Sequence, residues 1–226
     1  MKTWQIILGA TALSFLAATA IVQAPHGFGK EDAASASGAA SQTGSIPLPW
    51  LITAQPDGRS EALGLTLGHR GQPGSTLADA RQRFGLDMQI AIIAAPGEDG
   101  SLEAFVDPAR AGFIAGKLVI TAELPDATAT LKALRDRAVK SEFMESTTRK
   151  YTLSPADEAL ALQARIVSLN FIPQASLDAD TVLARFGTPA QRLRSNAHQE
   201  HFLYPDKGLD VIVDSEGKEL LQYVAP

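Results

Sequence analysis

His198 and His201 bracket Gln199 and Glu200, and imidazoles at that spacing are the chain's nearest approach to a metal site. On a helix the two rings converge; on a strand, residues three apart point to opposite faces and diverge. Leu193, Phe202 and Leu203, ahead of a Pro-containing turn, read as strand, and His26 and His69 stand alone. The expectation is surface or hydrogen-bonded histidines and no metal. Gly112-x-x-x-Gly116-Lys117 has the outline of a phosphate loop, but it is one residue short and lacks the following Ser or Thr. It also runs into an alternating pattern instead of opening a helix. The acidic pairs Glu98/Asp99 and Asp178/Asp180 sit at turns and helix starts, where carboxylates serve orphan N–H groups. No G-x-S-x-G elbow, H-E-x-x-H helix or Ser-x-x-Lys helix start occurs. With no cysteine, thiolate chemistry, disulfides and a lipid-modified cysteine are excluded. The chain reads as non-enzymatic, with no cofactor.

These residues belong to a chain of 226 residues, 45% apolar and 20% charged, with a net charge of −5; such a balance leaves no basic footprint for nucleic acid. Residues 1–24 carry the targeting signal. Lys2 precedes an uncharged, largely apolar run from Trp4 to Val22, long enough to cross a bilayer at about 1.5 Å per residue. It reads as a signal anchor, or as a signal peptide cleaved after Ala18-Thr19-Ala20. Either way the bulk of the chain lies outside the cytoplasm, and the anchor places it in the periplasm on the inner membrane. Residues 25–45 form an Ala/Ser/Gly linker, whose flexible reach is about 25 Å. Ile46-Pro47-Leu48-Pro49-Trp50 marks entry to the folded part.

An echo organises the rest. Arg83-Phe84-Gly85 precedes Gly116-Lys117, and Arg185-Phe186-Gly187 precedes Gly217-Lys218 at nearly the same distance, which suggests a duplicated unit. In residues 46–125, Leu63, Leu65 and Leu67 alternate as a leading strand, and Thr76 caps a helix over Leu77 to Phe84 that stops at Gly85. Strands over Met88 to Ala95, Leu102 to Val106 and Lys117 to Leu124 follow, with Gly116-Lys117 as the hairpin turn before the last. Residues 126–165 read as a helical connector, with Ser154-Pro155-Ala156-Asp157 opening its second helix. In residues 166–226, Val167, Leu169 and Phe171 lead; Asp178 caps a helix ending at Gly187, and three strands follow. The expected fold is α+β: two halves, each strand, helix and antiparallel sheet.

The second half carries a family resemblance. Asp178-x-x-x-Val182-x-x-x-Phe186-Gly187-Thr188-Pro189, then Tyr204 and a hairpin turning at Glu216-Gly217-Lys218, resembles the SmpA/OmlA (BamE-like) envelope proteins. Their fold is shared with β-lactamase inhibitor protein, itself a tandem; uncharacterised proteobacterial envelope proteins are similar as well. The resemblance implies protein–protein contact supporting an envelope complex, such as outer-membrane barrel assembly. A soluble periplasmic binder of a small ligand or cell-wall fragment is the alternative. Candidate contact residues are the aromatics Trp50, Tyr204 and Tyr223 and the outward positions Lys117 and Thr121, with strand addition along Lys117 to Glu123 and Glu219 to Tyr223. A basic stretch containing Lys132, Arg135, Arg137 and Lys140 is a second surface, suited to anionic lipid or an acidic partner.

Overall fold

Period-two alternation, more than helical periodicity, builds this chain. The computed structural model describes residues 46–69, 71–144 and 147–226. Strand holds 42% of these and helix 20%, so sheet decides the architecture. Strands β1 (Thr53–Ala54), β2 (Ser60–Ala62) and β3 (Leu65–Leu67) form a small antiparallel sheet. Ten more form one continuous antiparallel sheet: β4 (Gln89–Ala94), β5 (Ser101–Ala111), β6 (Ile114–Glu123), β7 (Lys140–Phe143), β8 (Arg149–Thr152), β9 (Arg165–Pro173), β10 (Gln191–Arg194), β11 (Gln199–Tyr204), β12 (Leu209–Asp214) and β13 (Leu220–Val224). Their order is β10-β11-β12-β13-β9-β6-β5-β4-β8-β7.

This corrects the expected α+β arrangement of two BamE-like halves. Strands β6 and β9, assigned to different halves, pair directly from Gly116↔Pro173 to Glu123↔Arg165 and weld the sheet into one body. The segment 126–165 is only partly helical: between α2 (Ala127–Asp136) and α3 (Pro155–Ala161) it makes the hairpin β7–β8, which extends the sheet through β8 onto β4. Four strands, not three, follow the last helix.

The sequence echo is half structural. Both Arg-Phe-Gly triplets close helices: α1 (Leu77–Phe84) is capped by Thr76 and Asp79 in a reciprocal box, and α4 (Ala179–Phe186) by Asp178, whose carboxylate accepts from Thr181 N. Gly85 (φ 106°) and Gly187 (φ 85°) end them in a backbone region open to glycine. The Gly-Lys pairs are not equivalent. Gly217-Lys218 lies in the β12–β13 turn, whereas Gly116 and Lys117 lie inside β6 and the preceding turn is at Gly112-Phe113. Gly116 is required for another reason: a Cβ there would strike Ile172 O and come within 2.7 Å of the Phe171 ring, so only glycine lets β6 and β9 close. Leu63 also departs from expectation. With Gly64 it forms the two-residue turn of the β2–β3 hairpin (φ 53° and 73°) instead of leading a strand.

The helices lie on one face of the large sheet. Leu77, Ala80, Leu131, Leu134, Ala161, Val182 and Phe186 share one apolar core with Ile90, Ile92, Leu102, Leu118, Ile120, Leu169, Phe171, Phe202, Val211 and Leu221. These strand residues are cross-strand partners of one another, so they mark the covered face. Among the described residues no helix packs on the opposite face. Ala91, Ile93 and Leu203 are buried yet outside that core, as expected for side chains pointing to the other side.

Candidate functional site

On the open face, register aligns one residue from each of eight strands. The row runs Gln191, Leu203, Asp210, Gln222, Asn170, Val119, Phe105, Gln89 from β10 to β4. At about 4.8 Å between strands it is roughly 34 Å long. Its centre is polar but poorly satisfied. Asn170, only 3% exposed, has no partner for Oδ1, and Oδ1 of Asp210 is likewise buried without one. Gln222 stands between them and is itself 8% exposed. A buried acceptor left unpaired costs about 1–3 kcal/mol, and this row carries two of them, one on each side of Gln222.

Flanking rows supply charge. The other carboxylate oxygen of Asp210 lies 2.8 Å from Nδ1 of His201, which is buried between Leu193 and Ile212 in register. That hydrogen bond holds the imidazole pKa above its usual 6.5 although burial opposes it. Because the folded value is raised, the pair's contribution to stability is complete below about pH 6.5 and is lost as pH rises through the raised value. Thermal melts should therefore show the wild type most stable relative to His201→Gln in mild acid, with the gap closing toward alkaline pH. A gap that does not change with pH would refute the coupling.

On the neighbouring row Ser168 faces Thr121, which faces Glu103. Glu103 is 7% exposed; burial pushes its pKa up, opposed by a 2.7 Å hydrogen bond from Ser101 Oγ. Lys150 lies at one end of the surface, bonded to Gln89 Oε1 and 5.6 Å from the Phe105 ring centre. At the other end a shallow depression of about 200 Å³ is lined by Ala190, Gln191, Leu203 and Pro205.

The residues expected to form a surface are dispersed. Lys117 and Thr121 do lie on the open face, Lys117 paired with Asp107 at 2.9 Å. Tyr204 and Tyr223 do not: both are buried against the helices, their hydroxyls donating to Gly187 O (2.8 Å) and Pro49 O (2.9 Å). Burial without a charged partner raises the Tyr223 phenol well above its normal range. Trp50 is half-buried at the far end of the core, edge-on to Phe113 and Phe186. Strand addition along β6 or β13 is corrected too, because each is already paired on both sides; the sheet's edges are β10 and β7.

The basic stretch stays at the surface, each of its four residues with a partner in the chain. Lys132 pairs with Asp136 and Arg137 with Asp157 (2.6 Å), Arg135 donates to Glu98 O, and Lys140 on β7 pairs with Glu142. His198 and His201 take separate aspartates, Asp214 at 3.0 Å and Asp210 at 2.8 Å, and no group of three metal-ligating side chains converges among the described residues. Asn170, Asp210, Gln222 and Glu103 escaped sequence reading. The one available signal was the polar Ser168 and Asn170 alternating with Leu169 and Phe171 in β9.

No protein-family model, curated protein or solved structure matches the chain. No helix among the described residues is long and apolar enough to cross a membrane. The run from Trp4 to Val22 and the linker to position 45 lie outside the described residues.

Proposed function

We propose that this protein is a membrane-tethered periplasmic interaction module that supports an envelope complex, is non-enzymatic, and docks a polypeptide on the open face of its sheet. The observation that carries the reading is the pair of unpartnered acceptors, Asn170 Oδ1 and Asp210 Oδ1, at the centre of a long row bare of helices. Both oxygens are covered in the unbound chain, so a polypeptide laid across the strands brings N–H donors to them as the side chains around Gln222 rearrange, while Val119, Ile172, Leu220 and Leu193, all half-exposed, supply apolar contact. The apolar run at residues 4–22, preceded by Lys2, supports the tether and the envelope location.

Site-specific photo-crosslinking in cells tests this. A photoreactive residue at Val119 or Leu220 should capture a defined partner, and one at Ala184, exposed on helix α4, should not. Equal capture from both faces would sink the reading. An absence of protein adducts, together with stabilisation of the chain by soluble cell-wall fragments, would replace it with the small-ligand alternative.

A further inference from the structure

We infer that the folded domain itself seats on the lipid surface, through an apolar tip formed by Trp50, Leu51 and Phe113. The inference rests on the tethered reading above and adds an orientation to it. Phe113 occupies the turn between β5 and β6 and is 74% exposed; Leu51 is 56% exposed. The Trp50 ring lies edge-on to Phe113, with centroids 6.3 Å apart. Leu51 and Phe113 are largely uncovered among the described residues, with the half-buried Trp50 ring between them and the core, and large apolar groups at one exposed point mark a contact surface.

The chain's own path says what that contact is. The first described residue, Ile46, accepts a 2.9 Å hydrogen bond from Gly112 N, and Leu48 packs against Gly112. The segment that carries the apolar run therefore leaves the domain from the very turn that bears Phe113. If that run lies in the bilayer, the tip is the part of the domain held nearest to it. The side-chain types also suit an interface. Trp with Phe and Leu is the composition of membrane-surface anchors. Arg185 is exposed and lies 4.9 Å over the Trp50 ring, and Arg110, exposed, stands just before the turn. Both guanidinium groups are placed to meet anionic headgroups as the rings enter the acyl boundary.

The test uses the full chain with Trp4→Phe, which leaves Trp50 as the one tryptophan. It is reconstituted into vesicles of equal parts phosphatidylcholine and phosphatidylglycerol. Two readouts are taken: flotation with the vesicles, and Trp50 emission when the phosphatidylcholine is brominated. We expect flotation, with bromolipid lowering Trp50 emission by about twofold or more. Leu51→Ser with Phe113→Ser should float equally and lose the quenching, with an unchanged far-ultraviolet circular dichroism spectrum because both side chains are exposed. Flotation with Trp50 unquenched would overturn the seated tip while leaving the tether intact. Failure to float would overturn the tether and this inference with it.

Discussion

Phe171→Ala is expected to destabilise the whole protein by about 3–5 kcal/mol. The ring is 1% exposed and stands in one cross-strand row between Leu118 of β6 and Leu221 of β13, at the seam where the first part of the sheet joins the second. It also rests against Gly116, so no neighbouring side chain can swing in from that side to fill the cavity. A loss of that size is a large fraction of the about 5–15 kcal/mol typical of a folded domain. Urea titration of the full chain carrying Trp4→Phe, in mild detergent, checks it. Circular dichroism and Trp50 fluorescence should give one coincident transition, shifted as a unit in the variant, because the sheet is continuous across β6 and β9. Two separate transitions, only one of them moved by Phe171→Ala, would restore the picture of independent halves.

Asn170→Val should have opposite effects on stability and on binding. Removing the buried amide relieves a desolvation cost of about 1–3 kcal/mol and places a β-branched side chain in a central strand beside Val119. The variant should melt at a higher temperature than the wild type. If Asn170 Oδ1 receives a donor from the docked partner, photo-crosslinking from Leu220 should fall about tenfold or more in the same variant, the equivalent of one lost buried hydrogen bond. Asp210→Asn, which keeps the shape and removes the charge, should weaken capture and also flatten the pH dependence assigned to His201. A variant at Asn170 that melts lower and still captures its partner would show that the amide is structural, and its role in docking would be withdrawn.

How much of this was legible depends on how far apart the interacting residues lie. Helices α1 and α4, with their caps Thr76 and Asp178 and their terminal glycines Gly85 and Gly187, follow from hydrogen bonds made within a few residues. The alternation in β6 and β9 is local in the same sense, since it reflects the pleat of a single strand. His198 and His201 each take their own aspartate, contacts that the strand register decides. The Gly-Lys echo misled for a physical reason: a glycine in a turn and a glycine under a neighbouring strand's phenylalanine are the same letter. Gly217 is the first kind and Gly116 the second. The likeness to envelope proteins rested on caps and turns, which many folds share because every short helix must satisfy its ends.

What the amino-acid order determined by itself is the capped helices α1 and α4, the alternation of β6 and β9, the apolar run at residues 4–22, and the absence of cysteine. Tertiary structure alone decided that β6 and β9 pair, that the described helices gather on one sheet face, and that Asn170, Gln222 and Asp210 stand in one row. Those contacts join residues from distant parts of the chain. A strand's period of two says which residues share a face, but only the pairing register says which strands, and which residues, stand beside them.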